Sequence, residues 1–141
     1  MAGNAGAFLV NGVNVNNTGY RQFLKITQIP HPTEIFVFLD EHPDSIDDGY
    51  FLNKDAVAGN GSYGVNPAGG AEWQDLPASY HNKAAAFSFA DGHAALHRWN
   101  NSQTVQPAIP FAVSLPLPIP DHPATEQTDF EWVLSHMSIE N

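Results

Sequence analysis

Residues 84–90, AAAFSFA, lead through Asp91-Gly92 into residues 93–99, HAALHRW, and the stretch reads as a β-hairpin. Small or apolar residues alternate along both arms, and Asp-Gly is the pair that a two-residue type I′ turn favours. Such a loop pairs Ala90 with His93 and Phe89 with Ala94. Phe87, Phe89, Ala94 and Leu96 then share one face, and Ser88, Ala90, His93, Ala95, His97 and Trp99 share the other. The phenylalanine face is the expected core.

Upstream, Ile35, Phe36, Val37, Phe38 and Leu39 form a run too short for a typical helix and rich in β-formers, so residues 34–39 are expected to be a buried, central strand. That strand delivers the chain into DEHPDSIDDG at residues 40–49, a polar loop, before Tyr50, Phe51 and Leu52 resume an apolar strand. Residues 56–70 hold five Gly and one Pro and read as a long surface loop. Residues 4–19 suggest a short strand or irregular edge. Residues 20–28 fit one strand or a short helical turn ended by Pro30.

Downstream, residues 106–123 contain six of the eleven prolines and must run extended over the surface. From Thr125 the period changes: Phe130, Val133, Leu134 and Met137 fall at i, i+3, i+4 and i+7, with Glu126, Asp129 and Glu131 near the start. A short C-terminal helix is expected. The whole is an α+β fold, an antiparallel β-sheet with a short C-terminal helix and long loops, in one domain spanning 1–141.

The composition supports a single core. The chain has 141 residues, 43% of them apolar and 14% charged, with no cysteine. At this length about 68–70% of the unfolded surface can be buried, so bulk stability requires neither disulfides nor metal. The absence of Cys excludes thiolate zinc sites and a cysteine nucleophile. Five Lys plus Arg stand against 15 Asp plus Glu, a net charge of −10, which repels nucleic acid and anionic membranes. No apolar run approaches the roughly 20 residues of a spanning helix. Residues 1–7 carry neither a basic region nor an apolar core, so no signal peptide is expected and the chain reads as soluble.

Two constellations carry possible chemistry. In the loop at residues 40–48, Asp40, Asp44, Asp47 and Asp48 with Ser45 offer the oxygen-rich, flexible set that calcium takes at 6–8 coordination, without the spacing of an EF-hand. Asp91 is a further carboxylate candidate. A solvated acidic turn whose aspartates cap backbone amides explains the same residues. The second constellation is Glu41 and His42 in that loop with His81 and His93. These would serve a small metal-dependent hydrolase as ligands or general base around Zn2+ or Mn2+, acting on esters, lactones or phosphates.

Strand geometry limits that second set. About nine residues of strand separate His81 from Asp91, roughly 30 Å if straight, and His93 and His97 lie about 13 Å apart on a strand despite their helical zinc-pair spacing. Asp91 is also what the turn itself requires, and His81 is explained by a bond to a loop carbonyl. No G-x-S-x-G surrounds Ser62, and the glycine-rich loop lacks a phosphate-binding Lys. Trp73, Trp99 and Trp132 suggest either a glycan or peptide platform or, more simply, core.

The string SYHNKAAAFSFADGHAALHRW at residues 79–99, with His81, nine intervening residues and then Asp91-Gly92, resembles the prepilin-type H-X9-DG proteins, a family of exported, type II pseudopilin-like proteins. EIFVFLDEHPDSIDDGYF at residues 34–51 is similar to that family's second common block, and Asp129–Trp132, DFEW, fits its closing helix. The resemblance covers about residues 23–134. It implies an extracytoplasmic, cell-surface α+β head domain of pseudopilin type, with loops that in related major pseudopilins hold calcium, and other pseudopilin or secretion components as partners. Residues 1–24 match neither the family's prepilin leader nor its long apolar helix, so a detached head domain is expected.

Overall fold

The structure is a computed structural model and describes residues 21, 23–46, 49, 51, 73, 75–109, 128–137 and 139. Among these, β1 (Phe36–Leu39), β2 (Ala84–Phe89) and β3 (Ala94–Arg98) form an antiparallel sheet in the order β1-β2-β3, and α1 (Thr128–Met137) packs beside it. The fold is α+β. The expected features at residues 4–19, 56–70 and 110–123, and at Asp47, Asp48, Tyr50 and Leu52, lie outside the described residues.

The central strand is β2, not β1. In β1, Phe36 is 1% exposed whereas Phe38, two residues on, is 60% exposed, because a bulge-type break in the register between them interrupts the alternation that would keep both on one face. An edge strand also leaves one face to solvent, and only burial on both faces would have hidden the whole apolar run. Before β1, residues 20–28 resolve as the helical alternative. A 3-10 turn at Ile26–Gln28 is fixed by Gln28 Oε1, which accepts from the N–H groups of Leu24 and Lys25 at 2.9 and 3.0 Å, and it ends one residue short of Pro30.

The hairpin forms as expected, but its register is displaced by one residue. Phe89 N–H donates to His93 O and Gly92 N–H to Phe89 O, both at 2.9 Å, so the loop comprises Ala90, Asp91 and Gly92. Gly92 takes φ +95°, as the third position of such a loop demands. The pairs are Ser88 with Ala94, Phe87 with Ala95, Ala86 with Leu96, Ala85 with His97 and Ala84 with Arg98. One residue of slip turns the whole second arm over. Phe87 stays in the core at 2% exposure, but Leu96, expected beside it, is 65% exposed. His97 and Trp99, expected on the far face, join the core side. Trp99 is 3% exposed and its indole Nε1–H donates to Ala78 O at 2.7 Å.

The core joins Phe36, Phe87 and Trp99 to Phe51, Trp73, Leu76 and Ala78, and to Phe130, Val133 and Met137 of α1. Edge-on ring pairs knit it together: Phe36 with Phe87 at 5.0 Å, Trp73 with Phe130 at 4.8 Å and Phe87 with Trp132 at 5.1 Å. The helical stripe is therefore as expected, with Leu134 half-buried at its edge. Trp73 and Trp99 are core residues and present no platform to a glycan. Beyond β1 the backbone changes partner. Asp40 N–H donates to Ala86 O of β2 at 3.0 Å, Ala78 N–H donates to Asp40 O at 2.8 Å, and His42 N–H donates to Leu76 O at 2.8 Å. The bridge of Glu41 with Pro77 completes the exchange. The loop carrying Glu41 and His42 is thereby tied to the segment leading to His81.

Candidate functional site

Asp40 and His81 meet where these two segments enter the sheet. His81 Nε2 lies 3.0 Å from Asp40 Oδ2, and the same oxygen accepts from Ala86 N–H at 3.4 Å. His81 opens a tight turn in which Asn82 and Lys83 have φ +54° and +66°, the left-handed pair of a type I′ turn, closed by His81 N–H to Ala84 O at 3.2 Å. Two consecutive non-glycine residues held in that region are a local strain, and they aim the imidazole at the carboxylate. Tyr80 lies beside the pair, 4.9 Å from the His81 ring. Burial first, and then the charge of Asp40, raise its phenol above the ordinary value.

His42 is fully buried. Its Nδ1 lies 3.2 Å from Asp44 N–H, which only donates, so Nδ1 is the acceptor and the proton resides on Nε2, which donates to Gln106 O at 3.1 Å. Both ring nitrogens serve the loop itself. Ser45 Oγ accepts from Leu76 N–H at 3.2 Å and has Glu41 Oε1, His42 O and Leu76 O within 3.1–3.3 Å to receive its single proton. Asp44 Oδ2 accepts from Ile109 N–H at 2.7 Å. The loop is thus pinned to residues 76, 106 and 109 from inside.

Asp91 and His93 occupy the other end of β2, whose six residues alone span about 17 Å. Asp91 Oδ1 accepts from His93 N–H at 3.1 Å and meets His93 Nδ1 at 2.6 Å, and these bonds lower the Asp91 carboxyl below the ordinary value. The His93 ring stacks flat on Phe89 at 4.3 Å.

The structure accordingly brings Asp40 together with His81, and Asp91 together with His93, in separate places. Glu41, His42, His81 and His93 do not converge on one centre, because His42 faces inward and His93 lies beyond the length of β2. Asp40 and Asp44 are each held by a different segment, and Asp47 and Asp48 lie outside the described residues. Among the described residues no group of three or more His, Asp or Glu side chains is placed to hold a metal ion.

No family model, curated protein or solved structure matches the chain. Its chemistry therefore has to be argued from its own geometry. Two features of that geometry escaped the sequence. Asp129, fully buried in the first turn of α1, accepts from Asn100 N–H at 3.0 and 3.1 Å and from Asn101 N–H at 2.8 Å. Trp132 is enclosed by two imidazoles, His97 at 3.5 Å and His136 at 4.2 Å, with ring planes within 14° and 21° of parallel. The i, i+4 spacing of Trp132 and His136 gave half of that second arrangement. The other half depended on the hairpin register.

Proposed function

We propose that this chain is a pseudopilin-like, extracytoplasmic head domain that assembles with other pseudopilin or secretion components, and that its loop at residues 40–48 takes a divalent cation, calcium. The supporting observation is the 3.0 Å pairing of Asp40 with His81. It joins the histidine of the H-X9-DG string to the first carboxylate of the acidic block, so the two stretches that carry the family resemblance form one structural unit. An antiparallel sheet with a C-terminal helix suits such a head. No helix among the described residues is long and apolar enough to cross a membrane.

The acidic loop suits a hard cation on two counts. Anchors through His42, Asp44 and Ser45 fix the path of residues 42–45, which lowers the ordering cost of binding there. Each carboxylate has about four lone-pair sites, so the single N–H on Asp44 leaves capacity for an ion. Calcium accepts six to eight oxygens in irregular geometry, and loop carbonyls and waters complete such a set.

The test is calorimetric titration and thermal melting of EDTA-treated protein with Ca2+, Mg2+, Zn2+ and Mn2+. Calcium at a hundred times its Kd should stabilise the fold by about 2.7 kcal/mol. Absence of both binding heat and a melting shift with every ion refutes the cation. Zn2+ or Mn2+ binding accompanied by turnover of an ester, lactone or phosphate would replace this function with the hydrolase.

A further inference from the structure

Among the described residues, Trp132 is the ring stacked by two imidazoles. From β3, His97 stacks at 3.5 Å, and from the last turn of α1, His136 stacks at 4.2 Å. The indole also touches Phe87 at 5.1 Å and Trp99 at 6.1 Å, so this stack ties α1 to β2 and β3 through side chains, while the helix backbone lies closest to β1. We propose that the His97–Trp132–His136 stack is a pH-sensitive latch, in which the neutral His97 ring holds α1 on the sheet and its protonation on acidification loosens it.

The surroundings of His97 set the direction. On β2 it faces Ala85 across the ladder and Phe87 beside it, neither charged, and on its own strand it lies 4.9 Å from the Trp99 ring. From α1 it feels the Asp129 carboxylate and His136. Burial, the largest influence, lowers its pKa below the ordinary imidazole value; Asp129 opposes the shift and His136 adds to it. The Asp129 oxygens are already committed to Asn100 and Asn101 N–H. His136 Nδ1 is 2.7 Å from Trp132 O, a carbonyl that only accepts, so Nδ1 donates. Ser135 Oγ is 3.0 Å from the same nitrogen. A protonated His97 above the indole gains a cation–π attraction, and its burial and the neighbouring His136 both oppose the charge.

A histidine whose folded pKa lies below its unfolded value binds more protons unfolded. Its contribution to stability is complete above about pH 6.5 and is lost as pH falls from there through the folded pKa. The experiment compares wild type with His97→Phe, which keeps a flat ring on Trp132 and removes the titration. Between about pH 8 and pH 5, wild type should lose about 2–4 °C more in Tm than the variant. Equal losses overturn the latch. Ring C2–H titration by NMR on wild type decides the matter if the variant fails to fold. His97 should titrate below about 6.5 with the Trp132 indole signal following it, and His136→Gln should raise that midpoint. A His97 midpoint at or above 6.5, or an indole signal that does not follow, overturns the proposal.

Discussion

Removing the Asp129 carboxylate should be among the most damaging single changes outside the hydrophobic core. The side chain is 1% exposed and satisfies two backbone donors, Asn100 N–H at 3.0 and 3.1 Å and Asn101 N–H at 2.8 Å, at the point where the chain leaves β3. Hydrogen bonds to a charged acceptor contribute about 1.5–3 kcal/mol each, and the surroundings of the two donors are only partly buried, so water recovers some of the loss. The position in the first turn of α1 adds about 0.3–1 kcal/mol from the helix dipole. Asp129→Ala is therefore expected to cost about 2–4 kcal/mol, or about 8–16 °C in Tm. Asp129→Asn keeps the shape and one accepting oxygen but turns an amide toward a donor, and should cost about half as much. Urea denaturation followed by circular dichroism and Trp fluorescence reads both. An Asp129→Ala protein that unfolds cooperatively within about 0.5 kcal/mol of wild type would show that these bonds do not hold helix and sheet together.

Two further outcomes follow from the hairpin. An added Cβ at Gly92 meets nothing within 4 Å, so Gly92→Ala should lose about 1–2 kcal/mol from its φ of +95° alone, measured by urea denaturation. Phe87→Ala should cost about 3–5 kcal/mol while Leu96→Ala stays within about 0.5 kcal/mol, a contrast that the two-residue loop, with both side chains in the core, would not produce.

The hairpin was legible because alternation is a local property and Asp-Gly marks a reversal, but the same dipeptide serves two loop lengths. In a two-residue turn it fills both central positions; in the three-residue loop seen here Ala90 is drawn into the loop and Gly92 alone needs a positive φ. The choice lies with tertiary packing. The observed register buries Trp99 and exposes Leu96, and an indole removes more apolar area from water than an isobutyl group. Weighing those two side chains against each other was the signal available in the sequence. The helix was legible for the reason that the hairpin's reversal was, since its stripe depends only on spacing. The position of β1 at the edge was not, because an apolar run states what is buried and says nothing of how many neighbours the strand has. His97 entered the candidate list only as half of a zinc spacing, and its stacking on Trp132 followed from a register that local chemistry does not decide.

The acidic residues show the same division between local chemistry and assembly. Asp40, Asp44, Asp91 and Asp129 were conspicuous as negative charge, and each accepts a backbone N–H in the fold, from Ala86, Ile109, His93, and Asn100 with Asn101. In a chain with five Lys plus Arg, amide donors take the part that cationic side chains play elsewhere. The ion pairs formed by the described residues Asp40 and Asp91 both use imidazoles, His81 and His93, rather than a Lys or Arg. Fixed positive charge is scarce in this sequence as a whole. A divalent ion would supply that charge without competing for the amide bonds, since the lone pairs that remain on a carboxylate already accepting one N–H are the ones a cation would use. The aspartates' service to the backbone is thus compatible with a metal at residues 40–48, and it makes the loop's path independent of the ion that the proposed function places there.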